Sequence, residues 1–258
     1  MSAGVTREVS NSVGVVTIDN PPLNLLSVEV TDGLIDAFDE FESAGLRALV
    51  VRAAGKNFSG GADVARFRGM SREVARAELS KFMVIIRRLE NFPAPTMAIV
   101  QGVCTAGGLE VALACDMIWA GESARSCQGE ASIGAIPFGG GAQRLAERAG
   151  TGRAKEIVFG AGMYSAEDFE RWNIVNRVVD DESLFDKAMK QANRLAVGPT
   201  RAYSAVKQVL REAVDSGMAG ADRAVVEHGA ALFDTEDLRN GVETLLKDGP
   251  GKGSFSGK

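Results

Sequence analysis

The stretch M-A-I-V-Q-G-V-C-T-A-G-G-L-E-V-A-L-A-C-D-M-I-W-A (97–120) decides the fold. It opens on an apolar run of strand length, 97–102, and closes on a second, 116–120. Between them, glycines lead into a short helical segment that carries Glu110. Strand, crossover and strand in so little chain imply mostly parallel pairing, with helices as the crossovers.

The same rhythm extends towards the N-terminus. V-G-V-V-T-I-D (13–19) reads as a strand broken by N-P-P-L-N (20–24). Ser27 can cap a helix in which Val30, Leu34, Phe38 and Phe41 share one face. A-L-V-V-R-A (48–53) is another strand, closed by Gly55. A second helix runs from about Ser71 to Leu89 and stops before F-P-A-P-T (92–96). Beyond residue 180 the pattern is helical throughout, over 182–196, 200–214, 217–233 and 235–247. Gly198-Pro199, Gly217 and D-T-E-D (234–237) separate these segments. The tail G-P-G-K-G-S-F-S-G-K (249–258) is expected to be loose unless a partner subunit orders it. The expectation is an α/β core over residues 1–195, followed without a linker by a helical segment, 196–258.

Composition removes several function classes. A chain of 258 residues is near the upper size for one hydrophobic core, and 45% hydrophobic with 24% charged residues is ordinary for a soluble protein. The net charge of −5 with no Lys/Arg block argues against nucleic acid as a partner. No apolar stretch is long enough for a bilayer, and MSAGVTREVS lacks a basic region followed by an apolar one, so no membrane partner is expected. Cys104, Cys115 and Cys127 are an odd number without paired spacing, which suits a reducing cytoplasm. One histidine, His228, leaves zinc patterns unfilled, so no metal is expected, and any Ser-His-Asp triad would depend on it alone. It reads as a surface or helix-packing residue.

Two glutamates stand out against this background. Glu110 ends Q-G-V-C-T-A-G-G-L-E (101–110), and Glu130 lies in Q-G-E-A-S-I-G-A-I-P-F-G-G-G-A-Q-R-L (128–145). Both sit beside glycines in segments apolar enough to be buried, where an unpaired carboxylate costs several kcal/mol. F-S-G-G-A-D (58–63) and T-A-G-G-L-E (105–110) each join a strand end to a helix. Gly107 would stand at a helix N-terminus, where unpaired N–H groups favour negative charge. Two N–H groups from separate loops converging on one oxygen make an oxyanion hole. Glu110, three residues on, would lie on the same side of that helix. Alone, either loop is explained by a tight turn and either glutamate by a helix cap.

Taken together, N-P-P-L-N-L-L (20–26), F-S-G-G-A-D (58–63), 98–116, the stretch from Gly129 to Leu145 and S-A-E-D-F-E-R-W-N-I-V-N-R-V-V (165–179) resemble the enoyl-CoA hydratase/isomerase (crotonase) superfamily. The motifs occur in that family's order over nearly the whole chain. The resemblance implies a crotonase-like α/β fold, a repeated ββα spiral, with a C-terminal helical trimerisation segment. It implies oxyanion donors at Ala62 and Gly107 and catalytic carboxylates at Glu110 and Glu130, the first activating water and the second supplying the α-proton. Leu23, Gly60, Gly61, Asp63 and Arg66 become candidate contacts for substrate and coenzyme A, with Arg68 beside them. Solvated helix positions are the alternative reading of the two arginines. Cys104 and Cys127 have no histidine near to activate them and read as buried small side chains.

The implied activity is reversible addition of water to a 2-enoyl-CoA thioester in the cytoplasm, with no cofactor beyond the coenzyme A of the substrate. The implied assembly is a homotrimer or a dimer of trimers, using apolar positions such as Val225, Val226, Leu232 and Phe233. One alternative is a Δ3–Δ2 isomerase with Glu130 as sole base; another is a non-catalytic CoA-binding protein. A nucleotide-dependent oxidoreductase would need G-x-G-x-x-G after the first strand, a spacing absent here. Three positions depart from the family pattern: Ala106 replaces a glycine, Gly129 replaces a proline, and Leu245 replaces an aromatic residue.

Overall fold

The computed structural model describes residues 4–258. Strands β1 (Val5–Ser10) and β2 (Val13–Ile18) form an antiparallel hairpin, and α1 (Val28–Ser43) leads to β3 (Ala48–Ala53). Helix α2 (Arg72–Glu90) leads to β4 (Thr96–Val100), followed by β5 (Val103–Thr105) and α3 (Gly107–Leu113). Next come β6 (Met117–Gly121), β7 (Arg125–Cys127), α4 (Gly141–Gly160), β8 (Tyr164–Ser165), α5 (Ala166–Arg171) and β9 (Arg177–Val179). The chain finishes with α6 (Asp181–Ala196), α7 (Thr200–Ala231) and α8 (Glu236–Asp248).

The main sheet has the order β1-β2-β3-β4-β6-β9 and is parallel from β2 onward. Its central strands are apolar along both faces because helices cover both. Val16, Ile18, Leu49, Val51, Ala98 and Val100 face one core with Leu34, Phe38, Ile85 and Leu89 of α1 and α2. Alternate residues Val15, Val50, Met97 and Ile99 face a second core with Leu184, Ala188 and Ala192 of α6. A smaller sheet, β5-β7-β8, lies beside the first. In β4-β5-α3 one strand joins the large sheet, the next the small one, and a helix follows; β6 and β7 repeat the division before α4. This is the ββα spiral of a crotonase-like fold. A bridge from Ser59 to Cys104 places the loop after β3 beside β5.

Local signals account for the helix starts. Ser27 and Ser71 accept from Val30 N and Val74 N at 3.3 Å, and Thr235 accepts from Leu238 N at 3.2 Å. The predicted face of α1, Val30, Leu34, Phe38 and Phe41, is buried. Helix α7 is interrupted at Gly217 (φ 68°, ψ −174°), where the sequence suggested a division. No helix among the described residues is long and apolar enough to cross a membrane.

The structure corrects two expectations. Strand β1 was not anticipated, because only Val5 of its six residues is buried and the edge carries no apolar alternation. The tail is docked by its own chain. Buried Asp237 accepts from Ser256 N at 2.6 Å and Gly257 N at 2.9 Å, and Asp237 N donates to Lys258 O at 3.2 Å. Arg47 donates to Gly198 O at 2.6 Å and Phe255 O at 3.0 Å. A carboxylate 3% exposed needs hydrogen-bond donors, and the tail's N–H groups provide them.

Candidate active site

The loops after β3 and β5 meet at the carboxyl end of the parallel strands. Ser59 fixes the first by donating to Asn24 O at 2.7 Å and accepting from Gly61 N at 3.1 Å. Leu26 N donates to Gly61 O and Thr105 N to Ser59 O, at 2.8 and 2.9 Å, tying both loops together. Gly61 has φ +87°, and a Cβ there would lie 2.8 Å from Ala106 Cβ and 3.1 Å from Gly107 N. Glycine is therefore required where the loops touch. The amide N of Ala62 lies 3.8 Å from where a Cβ on Gly107 would stand. Gly107 is the first residue of α3, so its N–H has no partner within the helix.

Both residues line a cavity of about 370 Å3, with Glu110 and Glu130 also in its wall. Its apolar sides come from Leu26, Phe67, Leu79, Phe82, Ile133 and Phe138. The segments 71–89 and 131–142 both contribute to this wall.

Each carboxylate is held by different donors. Glu110 is 1% exposed, and its Oε1 accepts from Gly141 N at 2.7 Å. Burial pushes its pKa up to about 7; N–H bonds from Gly141 and Gly139 oppose the rise, Glu130 adds to it, and Arg144 opposes it more weakly. Glu130 is 9% exposed and opens a short 3₁₀ turn, Glu130–Ile133. With its amide nitrogen facing that carboxylate, buried Gln128 donates to Glu130 Oε2 at 2.9 Å and Oε1 at 3.0 Å. Burial also raises the pKa of Glu130, against a hydrogen bond from its own backbone N–H.

The remaining candidate residues divide. Gly60 and Arg66 line the cavity, but Arg66 is paired with Glu78 at 2.7 Å. Leu23, Gly61 and Asp63 lie outside the lining and support the loop. Leu23 O accepts from Gly60 N at 2.7 Å, with its own side chain 41% exposed, and Asp63 Oδ1 accepts from Ala65 N at 3.1 Å. Arg68 is exposed beyond the rim, and His228, in the last turn of α7, is remote from the cavity wall. Cys104 and Cys115 are buried, which pushes the Cys115 thiol up to about 12 and the Cys104 thiol higher still. Cys127 lines the cavity, its thiol raised by burial and Glu130.

Gln128 and the Gly139–Gly141 run are neighbours of the two carboxylates that sequence reasoning did not single out. Three consecutive glycines just before a helix were the available signal. Ala106 has φ 50° and ψ −127°, a region disfavoured for any residue with a Cβ. Replacing the family's glycine there therefore strains the backbone beside Gly107.

With this geometry in hand, comparison with known proteins is informative. A family model described as enoyl-CoA hydratase/isomerase matches residues 8–250. A short-chain-enoyl-CoA hydratase of Clostridium acetobutylicum is 30% identical over 94% of each chain. A crotonyl-CoA hydratase of Syntrophomonas wolfei is 28% identical over 94% of this chain and 95% of the relative. The solved structure of an enoyl-CoA hydratase subunit from Geobacillus kaustophilus superposes with a TM-score of 0.92, at 30% identity and 99% coverage of both chains.

Proposed function

Because the chain belongs to the enoyl-CoA hydratase/isomerase family, we propose that its cleft adds water reversibly across the 2,3 double bond of a 2-enoyl-CoA. The product is a 3-hydroxyacyl-CoA. One observation carries this reading: two buried carboxylates, held by separate donors, line the same cavity as Ala62 and Gly107, whose backbone N–H groups we read as the oxyanion donors.

The thioester oxygen, placed between those N–H groups, becomes more negative as water adds to the β-carbon. Preorganised donors stabilise the resulting enolate. Glu110 takes a proton from the attacking water, and Glu130 delivers one to the α-carbon. The starting state returns when Glu110 releases its proton to solvent and Glu130 takes one up, and the same transfers run backwards dehydrate the product. One carboxyl must be ionised and the other protonated, and burial with mutual repulsion separates them in this way. Burial acts more strongly on Glu110, which by itself would favour its protonated form. The shared proton is therefore a property of the pair, and the two roles are coupled.

This addition is redox-neutral and takes only water and the thioester, so the proposal includes no metal and no cofactor apart from substrate coenzyme A. Arg66 marks the side of the cavity at which the nucleotide end of the substrate would leave. Gly60, Gly61 and Asp63 belong to the loop along which it would lie, and Leu23 backs that loop from the segment before α1. Exposed apolar side chains on α7 and α8, including Val226, Leu245 and Leu246, are read as surface for a homotrimer or dimer of trimers. Residues 196–258 then form the assembly segment and 1–195 the acyl-CoA core. Three free cysteines suit a cytoplasmic location.

The test is crotonyl-CoA. Hydration removes the conjugated thioester absorbance, and Glu110→Gln and Glu130→Gln should each lower kcat by two orders of magnitude or more, roughly, with little change in CoA affinity. Crotonyl-CoA left intact at high enzyme concentration rejects the hydratase reading, and full activity in either variant removes that residue from the mechanism.

A further inference from the structure

Arg144 is a buried cation outside the cavity wall. Only 7% of it is exposed, yet its guanidinium makes four contacts. Nη1 donates to Gly139 O at 2.9 Å and Gly140 O at 3.1 Å; Nε and Nη2 approach Glu90 Oε1 at 2.9 and 2.7 Å. The carbonyls it holds belong to the turn that presents Gly141 N to Glu110. Gly139 packs so tightly that a Cβ would collide with Phe82 and lie 2.9 Å from Glu110 Oε2. Glu90, at the end of α2, places its other oxygen 3.4 Å from Arg211 Nη1 of α7, without hydrogen-bond geometry. A planar fork can grip two carbonyls and a carboxylate together, which a lysine ammonium cannot reproduce.

We propose that Arg144 is a positioning residue for Glu110. Its guanidinium fixes the Gly139–Gly141 turn that aims the catalytic carboxylate, and Glu90 holds the guanidinium in place. This rests on the hydratase reading only for its consequence in turnover. The geometric claim concerns Glu110 whatever the substrate. The charge of Arg144 also favours ionised Glu110. Other titratable groups facing the same space are Glu130 and Cys127, with Arg66, Glu78 and Lys81 in the cavity wall. Arg66 is paired with Glu78 and Lys81 with Asp32, as Arg144 is with Glu90, but only Arg144 also grips the turn that binds Glu110, and it is the cation that acts on that carboxylate.

The experiment titrates Glu110 in the unliganded full chain by infrared difference spectroscopy, its band being identified as the one lost in Glu110→Gln. Arg144→Gln should raise the midpoint by about one pH unit, because it removes both the cation and the grip on the turn. Glu90→Gln should lower it, because the Gln carbonyl still accepts from the guanidinium and keeps the turn held while the neutralising charge is gone. Arg144→Lys should fall between wild type and Arg144→Gln. With crotonyl-CoA, Arg144→Gln should lose about 10- to 100-fold in kcat with KM within about twofold, since Arg144 does not reach the cavity.

An unmoved midpoint in folded Arg144→Gln overturns the proposal, as does a shift of the same sign in both charge-removing variants. If Arg144→Gln does not fold, Glu90→Gln decides alone: a midpoint unchanged or raised overturns the proposal. A rise in KM with kcat preserved also overturns it. Failure of wild-type protein to hydrate crotonyl-CoA is a separate result, which rejects the hydratase reading and leaves the titration to be judged by itself.

Discussion

Gly141 illustrates how much one residue decides. Its N–H binds Glu110, while its Cα lies so close to the Gln128 amide that any Cβ would collide with it. Both carboxylates therefore depend on one glycine, directly for Glu110 and through Gln128 for Glu130. Strand-end glycines and buried acids marked Gly107 and the two glutamates in the sequence as local signals, while Ala62 was singled out only by the family resemblance. Arg144 was not legible, because its role depends on Glu90, 54 positions away, and Gln128 was not, because nothing in its own neighbourhood says that its side chain turns to Glu130. Leu23 and Asp63 share a motif with true cavity residues, and only the backbone path separates them.

Glu110 also links activity to stability. Its folded pKa, about 7, stands above the ordinary glutamate value of 4.5. The fold therefore favours the neutral carboxyl: this contribution is complete below the unfolded value and is lost as pH rises through about 7. The change amounts to about 3 kcal/mol. Glu110→Gln should match wild type near pH 4.5 and exceed it in stability at pH 8. Urea titrations at both values check this, and a gap of equal size at each pH would falsify the linkage.

At the scale of elements, α1, α2 and the C-terminal helices were legible from caps and apolar spacing, and the central strands from continuous apolar runs; α4 was not, since no side chain caps it and Gly150 interrupts it. The three-residue strands β5, β7 and β9 and the two-residue β8 were not, since so few residues carry no periodicity. They exist because the ββα spiral turns each chain segment from one sheet into the next. Gly217 is the sharpest element-level signal: φ 68° with ψ −174° is a conformation essentially confined to glycine. Gly217→Ala should destabilise the protein by about 1–3 kcal/mol. A melting temperature equal to or above wild type would show that α7 prefers to run straight there.

For the whole molecule, the apolar faces left open on α7 and α8 are the main unsatisfied feature. Val226 is 72% exposed, Phe233 74% and Leu246 82%. The sequence presented Val226 and Phe233 within a stripe of the kind that a core usually explains, because a periodic pattern does not say which molecule buries it. Light scattering should give three or six times the chain mass at micromolar concentration. Leu246→Glu together with Val226→Glu should shift the protein towards single chains. A monomeric wild type would reject the assembly.

Arg47 has a consequence for the order of folding. It joins the entry to β3 with Gly198, 151 positions later, and Phe255, 208 positions later. Closing loops of that length is entropically unfavourable, so these contacts come after the local ones that form the sheet. During synthesis the sheet and its N–H groups can assemble while the last helices are still being made. The site is then built early, and the segment expected to join subunits is fastened last.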